Sequence, residues 1–506
     1  MVLFLALLAA PGAALAPQRG ELEKKAFEDR AAGYRVKPPK EWPVIPVAPD
    51  ARSRGMAFQA DAPDWNSPIH GRFRVVVVAK EEEFTAWVQR VMAETIQKPV
   101  TLEELEAELD EPTPAGKAPA RHRRWLFDGL FADTWLIEHG TGKVGLIATV
   151  SEADKQAKSW LATFERAAKS FEAVAAGAAE AGTGSGSGSG YDAKLAQVRA
   201  EAERTPGWRV VPTPSQKFIL TTSCENQKFV EEIIGRLERS REVFEQDYPP
   251  PAEFGHVSIV RLCAKEEEFH RYGGTGGGVA GWFSPSTTEL VLYDAKDVDR
   301  NMSYAVMTHE AFHQYCHFLF GRSEAHRWFD EGHGDYYGGM KFDGPKPKIT
   351  ARMPGGLERL SVIREMLQME TAKPLSEHLN FDHGQWQTQG PSNVSCYAQS
   401  WSIVYMLRQG MLGNVNPKVW KKEYAAILPG YIETLRAGFA QAYEKERARR
   451  GKGKPDGQEI ELDSSDLGDA VVKGIWKDAM GASWGKVDLA QFEEDWRVYV
   501  KKFLKD

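Results

Sequence analysis

The sequence predicts an α+β protein in two parts: an N-terminal antiparallel-sheet domain with helices, and a second domain that combines a small mixed sheet with a mostly helical C-terminal part. Three observations predict this fold. Short apolar runs rich in β-branched residues alternate with helical patterns in both halves. A run of alternating Gly and Ser separates the halves. Amphipathic helical patterns dominate the end of the chain, and its 506 residues suffice for two or three domains.

Composition narrows the possible partners. Hydrophobic residues make up 42% and charged residues 27% of the chain, as in ordinary globular proteins. The formal net charge of −7 does not fit the basic footprint of a nucleic-acid-binding protein, so no nucleic-acid partner is expected. No segment reaches the length of a transmembrane helix, so no integral membrane span is expected in the mature protein. The oligomeric state is left open.

Residues 1–16 are expected to be a signal peptide. Val2 to Ala10 form a short apolar run, and Ala14-Leu15-Ala16 supply the small residues of a cleavage site. The basic residue that usually precedes such a run is missing here, and a buried N-terminal strand or helix is the alternative. The signal peptide implies an exported protein, whether periplasmic, at the cell surface or extracellular.

Residues 17–175 are expected to form the first α+β domain. Its elements are a strand at Phe73–Val78, a helix at Glu81–Met92, a hairpin of Ala132–His139 and Val144–Val150, and a helix at Asp154–Phe171. At its edges, in Gly33-Tyr34-Arg35-Val36 to Trp42 and in Lys169-Ser170-Phe171, this half faintly resembles PsbP-like domains. It shows no catalytic constellation, so a packing or binding role is expected.

Residues 176–190 are expected to be a Gly/Ser linker that joins the two domains. Alternating Gly and Ser have no apolar surface to bury, so the segment is expected to be a flexible tether with a reach of roughly 20 Å. The second domain then covers residues 191–506. Its expected strands are Phe218–Thr222, Val257–Leu262 and a hairpin within Trp282–Tyr293, and its expected helices are Phe229–Gln246, Met302–Phe320, Leu357–Met369, Tyr397–Gln409, Lys418–Leu428 and Tyr431–Arg450.

One of these helices carries a candidate metal site. In Thr308-His309-Glu310-Ala311-Phe312-His313, the two histidines are four residues apart and lie on one helical face, where two imidazoles can chelate one Zn²⁺. Glu310 is then placed beside the ion as a possible general base. A catalytic zinc site needs three protein ligands, and Glu331 is the nearest well-placed carboxylate downstream.

These motifs resemble a known family. HEAFHQ, followed by the glutamate of WFDEGHGDYYGG, looks like the gluzincin branch of zinc metallopeptidases, and more narrowly it is similar to the DUF1570 group of exported bacterial peptidase-like domains. The resemblance implies a zincin-like peptidase domain with one Zn²⁺ on His309, His313 and Glu331, and with Glu310 as the catalytic carboxylate. It also implies that Asp335 orients a ligand histidine from behind the metal.

This chain departs from the family pattern just after the third ligand. The family usually has an apolar residue and Ala after Glu331-Gly332, and this chain has His333 and Gly334. His333 is therefore a candidate rival ligand, or a proton donor that faces the cleft. His317, four residues beyond His313, is another candidate replacement for Glu331.

The expected function is zinc-dependent hydrolysis of a peptide or protein substrate. The ion would activate a water molecule, Glu310 would move its proton, and Tyr397, His333 or His326 would stabilise the oxyanion. The alternative is an exported binding or scaffold protein with a peptidase fold and little or no catalysis. Metzincins would require HExxHxxGxxH, and Cys316 and Leu319 occupy the glycine and last histidine positions, which excludes that family.

The four cysteines add little to this prediction. Cys224, Cys263, Cys316 and Cys396 allow three disulfide pairings, among which the sequence does not choose. Cys316 lies three residues beyond His313, so a thiol ligand is conceivable there, although a small buried side chain is the more common use of cysteine.

Overall fold

The computed structural model describes residues 20–29, 33–42, 44–45, 56–62, 71–96, 100–111, 115–139, 142–174, 190–203, 205, 207–251, 256–273, 280–285, 287–344, 346–352, 358–387, 394–451 and 462–505. The expected signal peptide and residues 176–189 of the expected linker lie outside these residues.

The N-terminal half is built on a seven-stranded antiparallel sheet with the strand order β3-β4-β5-β9-β8-β7-β6, beside a three-stranded sheet with the order β1-β2-β10. The elements are β1 (Phe27–Asp29), β2 (Tyr34–Val36), β3 (Val44–Ile45), β4 (Met56–Asp61), β5 (Arg72–Val78), α1 (Phe84–Ile96), β6 (Glu106–Glu111), β7 (Ala120–Phe127), β8 (Leu130–His139), β9 (Gly142–Ser151), α2 (Ala157–Lys169) and β10 (Glu172–Ala173), with a 3₁₀ turn at Leu102–Glu104.

Each face of the large sheet is covered by one helix. Trp87 of α1 packs on one face, and Trp160 and Phe164 of α2 pack on the other. The predicted strand at 73–78 and the predicted hairpin are confirmed. The first helix begins at Phe84 rather than at Glu81, so the three acidic residues precede it instead of forming its first turn.

The second half begins with a five-stranded mixed sheet of order β11-β12-β13-β15-β14. The three central strands are parallel, and both edge strands are antiparallel to their neighbours. Its elements are α3 (Gly190–Glu203), β11 (Arg209–Pro212), β12 (Phe218–Thr222), α4 (Gln227–Asp247), β13 (Ser258–Cys263), α5 (Glu266–Gly273), β14 (Gly281–Ser284), β15 (Glu289–Tyr293), α6 (Arg300–Leu319), α7 (Arg327–Gly338), β16 (Met340–Lys341) and β17 (Lys348–Ile349).

The rest of the chain is helical, as expected. It comprises α8 (Arg359–Gln368), α9 (Leu375–His378), α10 (His383–Gln387), α11 (Val394–Met411), α12 (Ile427–Gly451), α13 (Asp469–Ala482) and α14 (Leu489–Val498), with 3₁₀ turns at Lys422–Ala426, Ser464–Asp466 and Trp484–Lys486 and a π-helical turn at Tyr499–Phe503. The helix expected at Lys418–Leu428 is wrong: that stretch holds a 3₁₀ turn, and α12 begins only at Ile427.

Successive side chains of each strand point to opposite faces of this sheet, and different helices cover the two faces. Leu220, Leu262 and Leu290 belong to the large core that also contains α4 and α6, whereas Ile219 and Val291 belong to smaller clusters with α3 and α5. Helix α7 then packs against α6 on one side and α11 on the other. Among the described residues, no helix has the length and apolar character needed to cross a bilayer.

Candidate metal centre

Helix α6 holds both histidines of the motif in a buried position. The Asp299 side chain caps its start by accepting a hydrogen bond from the backbone N–H of Asn301. Its end is closed at Gly321, which has a φ of 69°, as the sequence predicts for a glycine just beyond a helix. Between these ends lie His309, which is 4% exposed, and the less deeply buried His313.

Helix α7 brings Glu331 to these two imidazoles. The Nε2 atoms of His309 and His313 are 2.9 Å apart. Glu331 Oε2 lies 3.3 Å from the first and 3.4 Å from the second. A tetrahedral zinc ion with bonds of about 2.0–2.1 Å holds its donor atoms about 3.3 Å apart. The triangle therefore has nearly the size that zinc requires.

The chemistry of the three donors also fits a cation. Glu331 Oε2 is buried and has no hydrogen-bond partner within the described part of the chain, which is costly for a carboxylate oxygen unless something binds it. Glu310 brings a fourth donor close, because His309, Glu310 and His313 have potential ligand atoms within 4.8 Å of one another. Two imidazoles and a carboxylate are a ligand set used by catalytic zinc sites.

Each imidazole has its own carboxylate partner on α7. His309 Nδ1 lies 3.1 Å from Asp335 Oδ1, and His313 Nδ1 lies 2.8 Å from Asp330 Oδ1. A proton on each Nδ1 donates to these acids and leaves the Nε2 lone pairs free for a metal. The sequence pointed to Asp335 and missed Asp330. Asp330 is seventeen residues from His313, a separation that carries no helical signal.

Two arginines fix the carboxylates in turn. Arg327 Nη1 donates to Glu331 Oε1 at 3.0 Å, so the other oxygen of that carboxylate is turned toward the imidazoles. Arg359 of α8 donates from Nε to Asp335 Oδ2 at 2.6 Å, and both partners are buried. The Arg327–Glu331 pair has the i,i+4 spacing of a helical ion pair, which can be predicted from the sequence. The contact between Arg359 and Asp335 has no such local spacing and cannot be predicted in this way.

These contacts shift the ionisation of the site. Burial raises the pKa of Glu331, but the two imidazoles and Arg327 outweigh it and hold that pKa well below its usual value. Burial disfavours the charged form of His309, but its contacts with Asp335 and Glu331 raise its pKa to about 9. Glu331 is therefore an anion at neutral pH, and protons compete with a metal for the imidazoles.

Glycines allow the elements to approach the site this closely. A Cβ atom on Gly334 would lie 2.8 Å from Cε1 of His309, and one on Gly332 would lie 2.8 Å from the carbonyl oxygen of Ser400 in α11. A Cβ on Gly281 of β14 would lie 2.5 Å from Val306 Cγ1 in α6. The absence of a side chain at Gly334 thus has a steric role.

Glu310 faces the edge strand of the sheet. Its Oε2 accepts a hydrogen bond of 3.0 Å from the backbone N–H of Phe283 in β14. Among the described strands, β14 pairs with β15 and with no strand on its other side, and its residues Gly281 and Phe283 contact α6 and Glu310. The carboxylate is thus held between the histidine helix and a strand edge that suits an extended peptide.

Tyr397 of α11 lies next to the metal ligands. Its ring centroid is 6.4 Å from that of His309, and the guanidinium of Arg359 lies 5.0 Å above its ring. Burial, followed by the charges of Glu331 and Asp335, raises its pKa well above the usual value. The phenol therefore keeps its proton at neutral pH and is available as a donor.

Two of the candidate histidines do not face the site, and the expectations for them are corrected. His333 is fully buried on another side of α7, where Nε2 lies 2.5 Å from the Tyr248 hydroxyl and Nδ1 donates to the carbonyl oxygen of Phe329. Burial lowers its pKa to about 3. His326 is bound to the hydroxyl of Tyr431 through both its backbone N–H and its Nδ1. Both side chains stabilise the packing of helices.

The other possible ligands lie beside the triangle rather than in it. Cys316 is buried, and burial raises the pKa of its thiol well above the usual value, so a thiolate ligand is not favoured. His317 lines a cavity of about 160 Å³ together with Glu310, His313 and Glu331, but it does not belong to the close donor group. All four cysteines are free and buried, so none of the three possible disulfide pairings is formed.

Comparison with known proteins finds distant structural similarity and no family match. No model of a protein family matches it, and no curated protein matches it. Among solved structures it is similar to cyanobacterial PsbP from Synechocystis, with 12% sequence identity and a TM-score of 0.23 over 33% of this chain and 98% of that protein. It is also similar to a protein from Bacteroides thetaiotaomicron, with 13% identity and a TM-score of 0.20 over 57% of this chain and 76% of the other. The geometry of the site is therefore what bears on function.

Proposed function

We propose that this protein is a zinc-dependent peptidase, and that Glu310 is its general base. The observation that carries the proposal is the triangle of His309 Nε2, His313 Nε2 and Glu331 Oε2, with edges of 2.9, 3.3 and 3.4 Å and with Glu310 beside it. A bound zinc ion supplies a Lewis acid that polarises the scissile carbonyl and makes water more acidic. The other tasks fall to residues of the chain.

Glu310 is placed to move the proton of the reaction. It takes a proton from the attacking water and passes it to the leaving amine, as general base and then general acid. The Phe283 N–H orients the carboxylate through the bond to Oε2. An extended substrate lies along the free edge of β14, where main-chain hydrogen bonds bind it with little sequence preference.

Tyr397 is the residue best placed to stabilise the oxyanion. Its ring lies beside that of His309 and under the guanidinium of Arg359, and its phenol is protonated. A donor aimed at developing negative charge contributes more in a site that excludes water. Of the three candidates that the sequence offers, Tyr397 is the one whose surroundings suit this role.

The test is the Glu310→Gln variant, compared with the wild type and with Glu267→Gln, an exposed acid on α5. Zinc content is measured by elemental analysis, and turnover is measured on an unfolded, fluorescently labelled protein with and without a chelator. We expect Glu310→Gln to keep its zinc and to lose about 10²–10⁴-fold in turnover. Turnover that survives this substitution, or that survives removal of zinc, would refute the proposal.

The alternative role, an exported binding or scaffold protein, has a distinct outcome in the same experiment. In that case the wild type binds zinc through His309, His313 and Glu331 and hydrolyses no peptide. Export itself is part of the proposal and rests on residues 1–16. It is tested by sequencing the N-terminus of protein secreted from a bacterial host.

A further inference from the structure

The cavity beside Glu310 extends along α6 to His317. It measures about 160 Å³, and its walls combine the candidate catalytic residues with Phe283, Cys316 and Ala325. His317 lies two helical turns beyond Glu310, which corresponds to about 10 Å along the axis. Phe283 spans this interval, because its backbone N–H contacts Glu310 and its ring centroid is 5.4 Å from that of His317. The cavity therefore leads from the proposed reaction centre to His317.

His317 is a buried polar side chain. It is 5% exposed, and neither Nδ1 nor Nε2 has a hydrogen-bond partner among the residues that the structure describes. Leaving a buried donor or acceptor unpaired costs about 1–3 kcal/mol. Burial, reinforced by Arg322, lowers the pKa of His317 to about 4, so the imidazole is neutral at neutral pH. A ligand group that supplies the missing hydrogen bond recovers part of this cost.

We infer that His317 determines specificity, and that it binds the carboxamide side chain of an Asn or Gln next to the scissile bond. The inference rests on the proposed peptidase function and names a class of substrate for it. A neutral imidazole offers one N–H and one lone pair, and a carboxamide carries both an acceptor oxygen and a donor NH₂. The carboxamide therefore matches whichever ring nitrogen it meets.

Other side chains fit the cavity less well. A substrate carboxylate would meet the carboxylates of Glu324 and Asp330, which also line the cavity. A substrate ammonium or guanidinium would be attracted by these acids and repelled by Arg327, but it offers only donors, so it cannot accept a hydrogen bond from the N–H of His317. An apolar side chain of the same shape would fill the space between Phe283 and Ala325 but leave His317 unpaired. A site built for a hydrogen bond rejects a substrate that lacks the group more strongly than an apolar pocket rejects a wrong shape.

The first measurement is the ratio of kcat/KM for two capped peptides that differ at one position, Ala-Ala-Ala-Gln-Ala-Ala-Ala and its Leu counterpart. We expect the zinc-loaded wild type to prefer the Gln peptide about tenfold or more, mainly through KM. His317→Phe, which keeps a planar ring without polar atoms, should reduce the ratio to about 1. His317→Gln, which keeps a donor and an acceptor, should retain part of the preference. The ratio within one preparation does not depend on how much of the variant is folded.

The second measurement separates this inference from the peptidase proposal. The same two peptides are titrated by calorimetry into zinc-loaded Glu310→Gln and into the Glu310→Gln/His317→Phe double variant, where no turnover is needed. We expect about tenfold tighter binding of the Gln peptide to the first protein and equal binding of both peptides to the second. Equal binding to both proteins, or a preference that survives His317→Phe, overturns the role of His317. A wild type that binds the Gln peptide selectively but cleaves neither peptide overturns the peptidase proposal instead.

Discussion

His313 and Asp330 are joined by a hydrogen bond of 2.8 Å between the imidazole Nδ1 and the carboxylate Oδ1, although they belong to different helices. His309 stands in the same relation to Asp335 of α7. One helix therefore carries both imidazoles, and the next carries both acids that orient them together with the carboxylate ligand. The proposed metal site depends on how closely α6 and α7 pack.

Replacing Asp330 by Ala should weaken zinc binding by about 10–100-fold, because His313 loses the acceptor that fixes its tautomer and ring orientation. The measurement is competition for zinc against a chromophoric chelator at fixed pH. Asp297→Asn removes an exposed carboxylate in the loop before α6 and should leave the affinity unchanged. Equal affinities for Asp330→Ala and the wild type would contradict the orienting role.

The contact between Gly334 and His309 predicts an unusual sensitivity to a single methyl group. In Gly334→Ala the new Cβ would lie 2.8–3.0 Å from three atoms of the His309 ring, so the ring or the helix must shift. We expect a lower zinc affinity and a lower melting temperature, measured by chelator competition and by thermal unfolding.

The matched control for that variant is Gly474→Ala in α13, where a Cβ atom would have no neighbour within 4 Å outside its own stretch of helix. Alanine there should stabilise the helix by about 0.5–1 kcal/mol and leave zinc binding as it is. Equal effects of the two substitutions would show that the close approach of α7 to His309 is not required.

The buried pair of Arg359 and Asp335 predicts a large loss of stability. In Arg359→Met the Asp335 carboxylate stays buried without its main cationic partner, and we expect a loss of about 3–5 kcal/mol in the free energy of unfolding in denaturant. Arg449→Met, which breaks a pair with Glu446 on the exposed side of α12, should leave the free energy of unfolding nearly unchanged, because solvent screens that pair. A small effect at Arg359 would mean that water reaches Asp335.

The fold should be acid-labile partly because of His378. Its Nε2 lies 2.7 Å from the Ser400 hydroxyl, and burial lowers its pKa to about 3. A histidine in an unfolded chain has a pKa of about 6.5. Below that pH, His378 is therefore protonated in the unfolded chain but stays neutral in the folded chain. Above pH 7, protonation of His378 has no effect on the free energy of unfolding. As the pH falls from 6.5 toward 3, protonation of the unfolded chain lowers the free energy of unfolding, by about 2 kcal/mol at pH 5.

The measurement is the free energy of unfolding as a function of pH for the wild type and for His378→Gln, whose amide can keep a bond to Ser400. The substituted protein should lose less stability between pH 7 and pH 5, whatever its stability at pH 7. Parallel curves for the two proteins would show that His378 titrates normally in the fold.

Helical period predicted that His309 and His313 share one face of a helix. Glu331 was expected as the nearest downstream carboxylate and Asp335 from the family resemblance, and the structure brings these four side chains together. The same period argues against His333, which follows Glu331 by two residues and so points about 200° away from it. Sequence spacing alone therefore predicts that His333 and Glu331 do not face the same site.

The contacts that the sequence did not predict depend on tertiary packing. Asp330 reaches His313 only because α7 packs on α6, and Arg359 reaches Asp335 only because α8 packs nearby; no spacing along the chain encodes these distances. The stretch from Lys418 was expected to be helical and forms a 3₁₀ turn instead. There Tyr424 is buried and its hydroxyl donates to Asp495, a contact with α14 that local propensity does not include.

The proposed ligands all lie between residues 309 and 331, on two consecutive helices joined by a short connection. Bringing them together closes only a small loop, so little chain entropy is lost before an ion is captured. A partly folded chain that has formed this helical hairpin already holds the donors, whereas the sheet beneath it needs contacts between distant segments. If the proposed site binds its ion, this binding needs only the helical hairpin and can precede completion of the fold.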